Sequence, residues 1–336
     1  MTSQHYFKKL ALTTALVSFS AAASATVLTS IKPLGFIASS IADGVTDTKV
    51  LVPAGASPHD YSLKPSDVQK LKNAELVVWV GKDVDSFLSS SILNNFSQDK
   101  LVTIANLPEV DEDVLLTGHH HHHHHHHDEG AEEHHHHDHD EGAEEHHHHD
   151  QDEADEDHHK HSLNDESINW HIWYSPEISR IVAKDIAHKL MAKYPNKRAK
   201  IQQNLSSFNH SLTEKSAQIK KQLKPVGNKG FYVFHDAYTY FNKAYGLKQL
   251  GYFTVNPLVS PGVKTLAKIK EEIKEHKVQC LFAEPQFTPK VIQTLSKATG
   301  VKVGKLDPMG GSVSLGKNSY ANFLQTMANS YLECLK

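Results

Sequence analysis

Three histidines lie where a chain does chemistry. His59 sits in GASPHDYSLKPSD, a loop that follows an expected strand; His171 lies in NWHIWYSP, just before a capped helix start; His235 ends the apolar run FYVF and leads into DAYTYF. In an open α/β sheet, ligands settle in the crevice beyond the carboxyl ends of the strands. Three imidazoles meeting there would offer neutral nitrogen donors to a borderline-soft divalent cation, zinc above all, and leave one tetrahedral position open. Spacing alone leaves open that each is a histidine satisfied by ordinary hydrogen bonds. Only neutral imidazole ligates, so capture at such a site is expected to weaken as pH falls through about 6.5. His188, His210 and His276 fall in helical stretches among polar neighbours and read as solvated.

A second concentration of imidazole has no such placement. Between Gly118 and His161 the chain runs through nine consecutive histidines and two copies of DEGAEEHHHHD, and holds 21 of its 28 histidines with 15 acidic residues and one lysine. Such a segment cannot bury enough apolar surface to repay its ordering entropy, and a disordered loop is expected. Its clusters, among them His119, His120, His121, His134, His135, His146, His147 and His158, offer many weak sites for divalent metal. A purification tag is the plain alternative, but a tag sits at a terminus and does not alternate acids with groups of four histidines.

The formal charge of −4 hides an asymmetry, because the acidic segment leaves the rest of the chain near +10. That excess is spread out, with no basic cluster of the kind that binds nucleic acid. Met1 to Ala25 reads as a secretory signal peptide: Lys8 and Lys9 precede the apolar run Leu10 to Phe19, and Ala23-Ser24-Ala25 offers a cleavage point after Ala25. No later stretch is long and apolar enough to span a bilayer, so the mature chain is expected to be an exported protein without membrane insertion, in a Gram-negative periplasm. In that compartment the only two cysteines, Cys280 and Cys334, are expected to form a disulfide. No feature argues for an oligomer, and a monomer is expected.

Positioning the histidines calls for strands alternating with helices. Expected strands are Val27–Ile31, Thr48–Val52, Glu75–Val80 and Lys100–Ile104; expected helices are Pro33–Ala42 and Pro65–Asn73, the latter opened by a proline at its first position. Asn169–Trp173 reads as extended, and Ser175-Pro176-Glu177 as a helix start with cap, proline and first-turn acid. A helix from about Asn196 to Leu223 would be roughly 42 Å long, enough to join two domains as a strut. A second series follows, with strands at Gly230–Phe234, Leu247–Tyr252, Val278–Ala283 and Val301–Leu306. Its helices are expected at Tyr238–Tyr245, Thr265–His276, Pro289–Thr299 and Ser319–Leu335. The fold class is therefore α/β, two doubly wound domains around one crevice. The boundaries expected are 26–195 for the first domain including the 118–161 loop, 196–224 for the linking helix, and 225–336 for the second domain.

The ordered motifs GASPHDYSLKPSDVQKLKNAELVVWVG, HIWYSPEISR, FHDAYTYF, FTVNP and FAEPQF resemble the zinc-binding proteins of ABC importers of the ZnuA type. The resemblance spans essentially the whole mature chain, including a histidine- and acid-rich loop between the first two ligand segments. It implies two α/β domains joined by a long helix, Zn2+ held in the interdomain cleft by His59, His171 and His235, and delivery to a membrane permease. Pro58 stands where some relatives carry an acidic residue that can supply the fourth donor. The fourth position then falls to water or Asp307, less readily to Glu284 or a histidine of the loop. Asp60 and Asp236 directly follow ligands and are candidates to support them.

Two other readings use the same residues. An exported zinc hydrolase would also keep one zinc position open, with Glu284 as general base. Against it, the chain has no HExxH helix and no Gly-x-Ser-x-Gly elbow. A periplasmic zinc buffer with no transporter would share the entire site.

Overall fold

The computed structural model describes residues 26–118, 168–287 and 290–336. The expected signal peptide, the histidine-rich segment from His119 onward, and Pro289 at the expected start of a helix lie outside the described residues. Two four-stranded sheets, each wholly parallel, face one another across a layer of helices. The first is built from β1 (Thr26–Thr29), β2 (Asp47–Val50), β3 (Leu76–Trp79) and β4 (Leu101–Thr103) in the order β2-β1-β3-β4. The second uses β5 (Gly230–His235), β6 (Gln249–Thr254), β7 (Val278–Ala283) and β8 (Lys302–Lys305) in the order β6-β5-β7-β8. Each order puts an early strand inside its sheet with later ones on both sides. The crevice beyond the strand ends follows from that reversal.

The central strands are apolar on both faces, and their alternation sorts the core. In β3, Leu76 and Val78 face the layer between the sheets, whereas Val77 and Trp79 face outward onto α2 (Pro65–Asn73) and α3 (Ser89–Leu93). In β5, Phe231 and Val233 face inward, while Tyr232 and Phe234 pack outward toward α7 (Val263–Lys274) and α8 (Lys290–Thr299). His235 continues the inward set by the same parity. The inner layer comprises α1 (Lys32–Ile41), α4 (Pro176–Lys193), α5 (Arg198–Leu223), α6 (Thr239–Tyr245) and α9 (Ser319–Leu335), and one continuous apolar cluster runs through it. Across 26 residues, roughly 39 Å, α5 buries Ile201, Phe208, Leu212, Ile219 and Leu223 against α1, α4, α6 and α9. Its Asn204 Nδ2 caps the end of α1 by donating to the Ile41 and Asp43 carbonyls, at 2.9 and 2.8 Å. The long helix is thus the spine of the packed layer.

The expected elements are found within about two residues, with one difference. Asn169–Trp173 is not extended throughout: Ile172–Tyr174 forms a single 3-10 turn that buries all three side chains. Trp173 and Tyr174 fill the core just before α4. Ser175 then caps α4, its Oγ accepting from the Ile178 N–H at 3.1 Å, with Pro176 in the first turn. Cys280 of β7 and Cys334 of α9 are disulfide-bonded, with Cα atoms 6.0 Å apart, which staples the last helix to a central strand. Among the described residues no helix is long and apolar enough to cross a membrane.

Candidate metal centre

The three ligand candidates arrive by different routes. His59 lies on a 3-10 turn, Pro58–Asp60, in the loop after β2, its N–H held by Ser57 Oγ at 3.2 Å. His171 immediately precedes the turn that leads into α4. His235 is the last residue of β5, a central strand. The structure brings them together: one ring nitrogen of each lies within 4.8 Å of the others, and no other such cluster of histidine, cysteine or carboxylate groups occurs among the described residues. His59 Nε2 is 3.4 Å from His171 Nε2, which is 3.3 Å from His235 Nε2. Nitrogens bound tetrahedrally to zinc at its usual bond length stand about 3.3 Å apart. These two separations therefore match edges of a zinc tetrahedron.

The far nitrogens of two rings fix where the protons are. Asn169 Oδ1 accepts from the His171 backbone N–H at 3.1 Å, and Asn169 Nδ2 donates to the Asp236 carbonyl at 2.8 Å, so the amide can point only one way. The 2.8 Å contact between His171 Nδ1 and Asn169 Oδ1 must then be donated by Nδ1–H, leaving Nε2 as a bare lone pair. His235 Nδ1 lies 2.6 Å from the Glu284 carboxylate, which takes the Nδ1–H and turns Nε2 toward the other two rings. The His171 Nε2 lone pair thus faces His235 Nε2 at 3.3 Å, open to a shared proton or a cation.

Burial makes the site prefer a metal to a proton. Pro58, Trp173, Phe287, Pro308 and Met309 wall the trio and leave about 10 Å³ of open space, roughly one water-sized volume. Desolvation, helped by the neighbouring His235, pushes His59 down to about 4. Desolvation, with His235 and His59 beside it, also holds His171 well below the ordinary histidine range. A proton on His59 therefore becomes favourable only well below the ordinary 6.5, because the pocket penalises the imidazolium.

The other candidates are placed elsewhere. Asp307 is outside the cluster, its carboxylate taken up by the Met309 and Gly311 N–H groups at 3.0 and 2.7 Å and by Gln286 Nε2 at 2.8 Å. It folds the loop after β8, where Gly310 at φ +61° packs against Phe36 and Phe323, so that Pro308 and Met309 wall the site. Glu284 is 2% exposed and lies behind His235, also accepting from the Tyr238 hydroxyl at 2.9 Å. It supports a ligand and is not part of the cluster. Asp60 is exposed, and Asp236 Oδ1 accepts from Thr239 Oγ1 and Gln249 Nε2 at 3.1 and 3.0 Å. The ring supports are Asn169 and Glu284 instead. No motif marks Asn169 as a ring support; the one local signal is the N-x-H spacing, since asparagine often accepts from the backbone two residues on. The eight histidines singled out between His119 and His158 lie outside the described residues. His188, His210 and His276 are exposed.

A family profile described as zinc-uptake complex component A, periplasmic, matches residues 27–334. The chain is 64% identical over 328 residues to the high-affinity zinc uptake system protein ZnuA of Haemophilus influenzae, covering 97% of each chain. It is 43% identical over 314 residues to the protein of that name from Yersinia pestis, covering 94% of this chain and 92% of that one. A crystal structure of ZnuA superposes with a TM-score of 0.68 at 21% identity, over 93% of this chain and all of that one. The periplasmic zinc binding protein TroA from Treponema pallidum gives 0.70 at 18%, over 93% and 99%. At such identities these structures speak for the fold alone. The extent and identity of the sequence matches decide the rest: the chain belongs to the ZnuA family of periplasmic zinc-uptake components.

Proposed function

We propose that this chain captures Zn2+ between its two sheets through His59, His171 and His235 and surrenders it to the membrane permease of an ABC importer. The observation that carries the ligand assignment is the convergence of three imidazole nitrogens, with His171 Nε2 at tetrahedral-edge spacing from the other two and its lone pair fixed by Asn169. Three neutral nitrogens in a dry pocket favour zinc over magnesium, calcium or manganese, which prefer oxygen. Family membership makes the chain a transport component and not an enzyme, which removes the hydrolase reading. The fourth zinc position is assigned to water, since neither Asp307 nor Glu284 joins the trio.

The remaining parts of the reading follow from the sequence. The mature protein begins after Ala25 and works as a periplasmic monomer, with domains 26–195 and 225–336 on either side of the helix 196–224. The loop 118–161 collects metal at high capacity and low affinity and raises its local concentration beside the cleft.

The test is zinc competition against a chelator strong enough to empty weak sites, comparing the mature chain with its His59→Ala, His171→Ala, His235→Ala triple variant. One tight site in the parent and none in the variant is the expected result. Equal tight binding by both would sink the assignment. Uptake that depends on the permease separates an importer component from a stand-alone buffer.

A further inference from the structure

We infer that Asn169 is a positioning residue of the zinc site: it holds the His171 ring in the tautomer and orientation that ligation needs, and ties that ligand to the strand end carrying His235. The inference rests on the three-histidine reading above. Asn169 is 6% exposed, and its amide makes four contacts. Oδ1 accepts from the His171 backbone N–H and from His171 Nδ1–H, at 3.1 and 2.8 Å, closing a turn on the ligand itself. Nδ2 donates to the Asp236 carbonyl and to Thr239 Oγ1, at 2.8 and 3.3 Å, just beyond His235. One side chain thus spans from the segment that enters α4 to the end of β5, the two places from which His171 and His235 project.

The backbone around it is anchored in the same direction. The Asn169 N–H donates to the Leu116 carbonyl at 2.8 Å, and the Leu116 N–H donates to the Tyr240 hydroxyl at 3.0 Å. Thr117 and Ile168 form an antiparallel bridge beside them. This short stem sits on the start of α6, so Asn169 cannot drift from the residues it joins. A free imidazole rotates broadly about its terminal torsion and shares its proton between two nitrogens. Locking both before metal arrives removes an ordering cost from capture, which is how partners of metal-bound histidines act. An amide fits this place better than a carboxylate, because it accepts from His171 and donates to a carbonyl at once.

The test uses the full chain in three variants, Asn169→Ala, Asn169→Asp and the triple histidine-to-alanine variant. Zinc affinity is read by chelator competition, and the tautomer of His171 by nitrogen NMR of the zinc-free protein. Asn169→Ala is expected to weaken zinc by about 10- to 100-fold and to release His171 from its Nδ1–H tautomer. Asn169→Asp keeps the acceptor, and is expected to keep that tautomer and to recover affinity to within about tenfold of the parent, the lower bound of the same range. Parent-like affinity with an unchanged tautomer in Asn169→Ala would overturn the role. So would an Asn169→Asp variant that loses the Nδ1–H tautomer although it keeps the acceptor. Should the alanine variant not fold, the aspartate decides alone, and loss of the Nδ1–H signature there overturns the inference. Tight zinc retained by the triple variant would instead bring down the site reading on which it rests.

Discussion

The two sheets contribute to the proposed zinc site in unlike ways. From the second sheet comes His235, on a central strand, buried, with the Glu284 carboxylate behind it at 2.6 Å. From the first comes His59, on a 3-10 turn in a loop, with nothing among the described residues hydrogen-bonded to its Nδ1. A strand-borne ligand with a carboxylate behind it is stiff and electron-rich; a loop-borne one is placed mainly by what it packs against. One side of the cleft therefore holds a fixed half-site, and the other supplies the ligand that completes it.

The largest test of this contrast removes each ligand in turn. Zinc-site free energies of roughly 10–16 kcal/mol shared among four donors put each histidine near 3 kcal/mol, so either alanine variant should lose about 100-fold or more in affinity. They should differ in the fold. His235→Ala strands a buried carboxylate and is expected to lower unfolding stability by about 3 kcal/mol, whereas His59→Ala should leave urea unfolding nearly unchanged. Equal stability losses would erase the distinction. A smaller effect is expected from Glu284→Gln, which keeps an acceptor for His235 Nδ1 but gives up the charge: a weakening of about tenfold, measured by chelator competition.

Next comes pH. In the zinc-free protein the His59 ring should titrate by NMR with a midpoint of about 4. Because the folded state resists a proton that the unfolded chain accepts near 6.5, stability should be full above that pH. It should decline between about 6.5 and 4 by up to roughly 3 kcal/mol. A midpoint near 6.5 would mean that water reaches the ring freely. The smallest effect on zinc is expected from the Cys280→Ser, Cys334→Ser double variant. The bridge closes a separation of 54 residues and should add about 4 kcal/mol to stability, yet it lies away from the trio, so zinc affinity should not move while the melting temperature falls. A coupled loss of zinc would show that α9 shapes the site.

Much of this was legible in the sequence because it is local. Pro65–Asn73, Val278–Ala283 and Ser319–Leu335 stand where their apolar periods and caps put them. The pairing of Cys280 with Cys334 needed only the count of cysteines and the compartment. What stood behind the ligands was not legible, because it depends on register. Val233 of β5 pairs with Phe282 of β7, and the same register carried two residues on sets Glu284 beside His235, a neighbour relation that nothing in either segment announces. Asp307 looked available for the converse reason: a carboxylate near a cleft is visible in a sequence, but the two N–H groups and the amide that occupy it are not.

The stem at Thr117 and Ile168 has a consequence for how such proteins diversify. Thr117 and Ile168 pair in one antiparallel bridge, which holds the two ends of the intervening segment together. Doubling the span between them adds only about 0.6 kcal/mol of closure entropy. The twin DEGAEEHHHHD copies are the kind of direct repeat at which slippage adds or removes whole units. The bridge, and not the residue count between its partners, thereby sets how far apart the two ends stand.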